Sequence, residues 1–326
     1  MKISILRYNL MLVCLLLISL SEVFAQQKAK VNLFRDRLVT LSDGVRLATD
    51  IYKPQPRKKY PVILLRTPYN KDQYRKVATK LAKAGFAIVI QDVRGRWKSG
   101  GDFRGWIDEK RDGLETLDWL VKQNWCNGNI GMWGNSYSGF SAVTMAPSCH
   151  PNLKAIFNTS GPGDLYQTIF PGGVFHQMAL LPWTLAFTDG KLPPSFSGLF
   201  RDLPKIFKTR PLAKVPANRG YQGSFWSYIL NHQKADMHWS LAGIDRSYAR
   251  VDVPIFHLTG WNDFIVNAAI HNYEQIQQHQ KPGNTKNFQK LMIGPWHHDQ
   301  QGTSRTKAGD YDFGKDGGLV QWGLSS

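Results

Sequence analysis

Cysteine, acid and uninterrupted apolar stretches are scarce in this sequence, and each shortage removes a class of protein. Three cysteines in 326 residues cannot build a disulfide framework, and none falls in the paired spacing of a zinc site. Cys14 lies in the N-terminal apolar run, which leaves Cys126 and Cys149, a pair whose bonding stays open at this level. No H-E-x-x-H or comparable histidine spacing occurs, so neither a metal nor another cofactor is expected. Acid is also short: Asp and Glu total 24 against 41 Lys and Arg, a formal charge of +17 with a pI near 9.8. That balance would suit nucleic acid or an anionic surface, but the basic residues are scattered. Their densest group, Arg57-Lys58-Lys59, falls in an expected turn between Pro56 and Pro61 and matches no recognition motif. It reads as solvated surface, and no nucleic-acid partner is expected. The one long apolar run, Leu10–Leu20, is too short to span a bilayer comfortably. Lys2 and Arg7 precede it and Val23-Phe24-Ala25 follow, the layout of a secretory signal peptide over residues 1–25. Val13 stands before Cys14 where a lipoprotein signal needs a small residue, so no stable membrane anchor is expected. The remaining chain should be periplasmic or secreted.

What is present is a globular chain, 42% apolar and 12% aromatic, without an internal repeat. "LVTLSDGVRLATDIYKP" (38–54) alternates apolar and polar around Asp43-Gly44 and predicts a β-hairpin. "YPVILLRTPYN" (60–70), "AIVIQDVRG" (87–95) and "NIGMWG" (129–134) predict buried strands, and "YRKVATKLAKAGF" (74–86) and "DGLETLDWLVKQ" (112–123) predict helices between them. "LKAIFNTSG" (153–161), "VPIFHLTGW" (253–261) and "FQKLMIGPW" (288–296) continue the strands. Buried strands alternating with helices imply a mostly parallel sheet covered on both faces. Between residues 164 and 250 the alternation stops, and aromatics and prolines take over. That stretch is expected to be a helical insertion, either a cap shaping a substrate pocket or a packed subdomain closing one edge of the sheet. The expected organisation is residues 26–163 and 251–326 as two parts of one α/β domain, with 164–250 inserted between them.

"IGMWGNSYSGF" (130–140) runs from a buried strand through a serine between small residues directly into a helix. This is the pattern of a nucleophile elbow, in which a strained turn lifts a serine hydroxyl above the sheet. The glycine stands one position later than in G-x-S-x-G, with Ser138 in its place. A serine nucleophile needs a base, and the base needs a carboxylate to orient it. The strand at 253–261 leads into Asp263, and the strand at 288–296 leads into His297-His298, which gives the order serine, acid, histidine on successive loops. Taken singly, Asp263 would serve as a turn or helix cap and the histidines as surface residues; their joint placement favours catalysis.

The residues now carry a resemblance. "DGVRLATDIYKP", "RTPYNKD", "QDVRGRWKSGGDF", "DGLETLDWLVKQ", "GMWGNSYSGF", "GWND" and "IGPWHH" occur in the order found in the cocaine esterase and α-amino acid ester hydrolase group of serine hydrolases. The chain resembles this group (the CocE/NonD family), which is related to X-Pro dipeptidyl peptidases. The resemblance implies an α/β-hydrolase with a helical cap, with Ser136 as nucleophile, His298 rather than His297 as base, and Asp263 as its orienter. The backbone N–H of Tyr137 would form the oxyanion hole with the hydroxyl of Tyr69, although a tyrosine packed beside Pro68 is the plainer reading of that position. Members of the group that accept α-amino esters carry acids near the triad aspartate and after the nucleophile helix. Here Phe264-Ile265-Val266-Asn267 and Thr168-Ile169-Phe170 stand in those places, so an uncharged acyl group is expected. The group also continues into a β-sandwich. "DYDFGKDGGLVQW" begins that continuation and the sequence ends at Ser326, so the sandwich is expected to be absent from this chain. The implied partner is a small-molecule ester or amide. An X-Pro dipeptidyl peptidase and an inactive binding protein on the same scaffold are the alternatives.

Overall fold

The computed structural model describes residues 30–54, 59–188, 203–215, 224–279, 288–298 and 305–318. The expected signal segment and Arg57-Lys58 lie outside them. Eight strands form one sheet: β1 (Asn32–Thr40), β2 (Arg46–Lys53), β3 (Tyr60–Thr67), β4 (Ala87–Asp92), β5 (Cys126–Asn135), β6 (Leu153–Thr159), β7 (Ile255–Asn262) and β8 (Lys290–His297). Their order is β1-β2-β4-β3-β5-β6-β7-β8. The first two strands are antiparallel, and all pairs from β4 onward are parallel.

The hairpin starts earlier than its apolar pattern predicts. A register shift between Phe34 and Arg37, with Asp36 at φ 51, breaks the two-residue period over the first half of β1. In the central strands the period is plain. Val62 and Leu64 of β3 and Ala87 and Val89 of β4 face one cluster; Leu65, Ile88 and Ile90 face another. The first face is covered by α2 (Glu109–Val121), α3 (Tyr137–Val143) and α8 (Val266–His279), through Leu117, Leu120, Ala142, Val143 and Ile276. The second is met by α1 (Arg75–Lys83), through Ala78 and Ala82. Burying both faces of strands such as β4 is what makes them read as continuous apolar runs.

Helix α2 begins three residues before the predicted start, because its acidic first turn is paired inward. Glu109 meets Arg66 at 2.6 Å, and Asp112 receives both Nε and Nη2 of Arg94, at 2.8 and 2.7 Å. Acids there also face the positive end of the helix. Within residues 164–250 the described elements are helices: α4 (Leu165–Ile169), α5 (Gln177–Thr188), α6 (Ser224–Asn231) and α7 (Met237–Ala242), with short 3₁₀ turns between. Their apolar side chains form one cluster with Trp106, Tyr137 and Phe140, so this layer rests directly on α3. Cys126 is buried and Cys149 exposed, and both are free thiols. The architecture is an α/β-hydrolase fold.

Candidate active site

Strand β5 delivers Ser136 at the edge where the parallel strands end, and α3 departs from the next residue. Ser136 has φ 57 and ψ −122, a conformation that costs a side-chain-bearing residue about 1–3 kcal/mol and survives only where its neighbours enforce it. They do so here: the Ser136 N–H donates to Thr159 O at 2.9 Å, and the Phe140 N–H donates to Ser136 O at 2.9 Å. A Cβ on Gly134 would lie 2.2 Å from the carbonyl carbon of Ser138. Strand and helix therefore touch backbone to backbone, which accounts for the small residues around the serine.

Asp263 and His298 follow β7 and β8, neighbouring strands. Gly260 permits that approach, since a Cβ on it would lie 2.1 Å from Trp296 O. The Asp263 side chain is fully buried and accepts from His298 Nδ1 at 2.9 Å and from the Ile265 N–H at 2.9 Å, with the hydroxyls of Ser160 and Thr259 on its other oxygen. Burial alone would push this carboxyl upward, but the bonds from His298, Ser160 and the Ile265 N–H outweigh it and hold the group below the ordinary carboxylate range. With Nδ1 donating to Asp263, Nε2 of the neutral ring keeps its lone pair. His297 is turned away, with Nδ1 3.2 Å from Asn262 O and Nε2 accepting from the Gly309 N–H at 3.2 Å. The structure thus joins His298, and not His297, to the carboxylate.

Tyr69 lies just beyond β3, with its hydroxyl 3.4 Å from Ser136 Oγ. Burial raises this phenol, while the hydrogen bonds with Ser136 and Trp183 pull it back. The second expected donor, the Tyr137 N–H, belongs to the residue that follows Ser136 and opens α3. Its phenol ring is anchored below, 2.7 Å from Gly105 O and 3.1 Å from Glu109 Oε1. The "QDVRGRWKSGGDF" segment has a visible task here. Arg96 Nε and Trp97 Nε1 both donate to Pro68 O, at 3.4 and 2.8 Å, and so hold the carbonyl that precedes Tyr69.

Ser136, Tyr69 and His298 open into one cavity of about 880 Å³. The cap contributes Leu165, Ile169, Met178, Leu180, Pro182 and Trp183, α3 adds Phe140, and the loop after β7 adds Phe264 and Ile265. Thr168, Ile169, Phe264 and Ile265 stand in its wall, as the sequence led one to expect, and no Asp, Glu, Lys or Arg lines it among the described residues. His176 also lines it, lowered by burial from its ordinary value, and is therefore neutral near pH 7. No cluster able to hold a metal ion occurs among the described residues, and no described helix is long and apolar enough to cross a membrane.

Two contributors were not legible in the sequence. Ser160 lies on the loop after β6 at φ 47 and donates to Asp263; nothing in "NTSGPG" distinguishes it from a turn residue. Trp183 donates its indole N–H to the Tyr69 hydroxyl at 3.3 Å, from a cap helix whose sequence signalled only apolar packing.

Comparison with known proteins shows what the chain is similar to. The chain is 28% identical over 282 residues to cocaine esterase of Rhodococcus sp. (strain MB1 Bresler), an alignment covering 80% of this chain and 48% of the esterase. An α-amino acid ester hydrolase structure superposes with a TM-score of 0.70 at 26% identity, covering 88% of this chain and 51% of the other. An aminopeptidase from the marine sediment archaeon Thaumarchaeota archaeon gives 0.73 at 24% identity, covering 89% and 53%, a likeness of fold. The chain spans about half the length of these relatives. Residues 43–300 match the X-Pro dipeptidyl-peptidase (S15) family along most of the sequence, and the chain belongs to that family.

Proposed function

We propose that this chain is an exported serine hydrolase that cleaves esters of uncharged acyl groups through an acyl-enzyme. The observation that carries the reading is a strained serine sharing one cavity with a histidine whose Nδ1 is bonded to a buried carboxylate. Ser136 Oγ passes its proton to His298 Nε2 as it attacks the carbonyl carbon. The oxyanion that forms accepts from the Tyr137 N–H and the Tyr69 hydroxyl, donors fixed before the charge appears. Collapse expels the alcohol, which takes the proton from His298. Water then attacks the acyl-Ser136 ester by the same route, releasing the acid and restoring the serine. The N-terminal leader supports a periplasmic or secreted location.

The uncharged acyl preference follows from the wall. A buried ammonium needs a carboxylate partner, and Thr168, Ile169, Phe264 and Ile265 offer none. The family name supports X-Pro dipeptide release as a second reading, which needs a carboxylate for the substrate's N-terminus, and none lines the cavity among the described residues. A fluorophosphonate probe should label Ser136, whereas an unlabelled protein would identify a binding protein on the scaffold. Ester, amide and X-Pro substrates compared on the labelled protein should show ester cleavage fastest. Faster release of X-Pro dipeptides would overturn the ester reading.

A further inference from the structure

We propose that Trp183, carried by the cap, is a positioning residue that aims the Tyr69 hydroxyl at the oxyanion. The inference rests on reading Tyr69 as an oxyanion donor, and adds that the cap supplies part of the hole's geometry.

The argument starts from donor inventory. An indole N–H donates and cannot accept, while a phenol oxygen has one O–H and lone pairs. Trp183 Nε1 lies 3.3 Å from the Tyr69 oxygen, and Ser136 Oγ lies 3.4 Å from it. A hydroxyl hydrogen turned toward Trp183 would meet another donor head on, so that orientation is excluded. The O–H is left to point at Ser136, where the oxyanion will form. A bond accepted by a hydroxyl also strengthens the bond it donates, and the effect grows where water is excluded.

The indole is itself held. Its ring stacks on Trp106 at 5.2 Å and 14°, and lies 6.1 Å from the Tyr137 ring at 25°. Trp106 is buried and precedes α2, and Tyr137 begins α3. A cap helix is thereby registered against the segment before α2 and the start of α3, which carries one donor of the hole. If α5 moves, the hydroxyl loses its aim and turnover falls, even where substrate still binds.

The test is a double-mutant cycle in the full chain, with a short-acyl p-nitrophenyl ester that needs little from the cavity wall. Active sites are titrated with a fluorophosphonate so that misfolded protein does not count. Tyr69→Phe should lower kcat about a hundred- to a thousandfold. Trp183→Phe keeps an aromatic ring but loses the donor, and should lower kcat about five- to twentyfold with KM within about twofold. In the Tyr69→Phe background the same change should alter kcat less than about twofold, because the hydroxyl it aims is gone. Equal losses in both backgrounds, or a loss confined to KM, would overturn the positioning role while leaving Tyr69 intact. An unaltered kcat in Tyr69→Phe would instead refute the oxyanion reading, and this proposal with it.

Discussion

The floor and the roof of the cavity are built on opposite terms. The floor rests on a buried polar layer that does not itself line the cavity. Arg66, Arg94, Asp112, Glu109 and Asp263 are buried beneath the strand ends, and these residues are tied by short bonds among themselves or to the loops that carry Tyr137 and His298. The roof is apolar and aromatic, and among the described residues it brings no ionised group to the cavity. The floor's directional bonds fix atoms to fractions of an ångström, which charge development in a transition state requires. The roof's contacts have no direction and accept many shapes, which suits a pocket for an acyl chain. Trp183 is where the two meet.

That contrast can be broken at either layer, with effects of decreasing size. Ser136→Ala should abolish turnover of activated esters, a fall of about 10⁴- to 10⁶-fold in kcat, while the variant's melting temperature stays at or above the parent's. Activity surviving at the parental level would remove the floor from the chemistry altogether. Asp112→Asn removes the buried partner of the Arg94 guanidinium, which keeps Asp43 at 2.8 Å, and should cost about 1.5–3 kcal/mol in urea unfolding. A loss below about 1 kcal/mol would mean that the floor's charges are not structural.

A pH series sharpens the same point. His257 is fully buried in β7, and burial pushes it down to about 4. Its folded value lies below the unfolded one, so the unfolded chain takes up the proton first and stability is lost as pH falls from about 7 toward 4. Against His257→Gln, the parent should lose about 2 kcal/mol between pH 7 and 5, read from urea midpoints at each pH. The variant comparison matters because Asp92, raised by burial to about 6, works in the opposite sense and is common to both proteins. Equal pH slopes in parent and variant would refute the assignment. The smallest effect belongs to the roof. Thr168→Asp puts a carboxylate into the wall and should shift kcat/KM toward an α-amino ester over its deaminated analogue by about tenfold. No shift would show that Thr168 does not face the acyl group.

Much of the floor is legible in the amino-acid sequence. Apolar runs such as "AIVI" follow from burial on both faces of a strand, and a serine hemmed in by small residues follows from a backbone forced through a tight turn. Both are local consequences, and so a local pattern carries them. The start of the hairpin was missed where a bulge at Asp36 erases the alternation, and the start of α2 because its acids are paired with Arg66 and Arg94, residues far off in sequence. The choice between His297 and His298 came from likeness to a family; the carboxylate 2.9 Å from His298 Nδ1 now gives it a physical basis.

By itself, then, the sequence determined the strand and helix alternation, the elbow, and the order in which acid and histidine reach one edge of the sheet. These depend on periodicity and on steric limits that act within a few residues. Tertiary structure alone decided that Ser160 supports Asp263, that Arg96 and Trp97 hold the carbonyl before Tyr69, and that a tryptophan of the cap meets the Tyr69 hydroxyl. Each of these is a hydrogen bond across tens of residues, and the geometry of a hydrogen bond leaves no periodic trace in the chain that makes it.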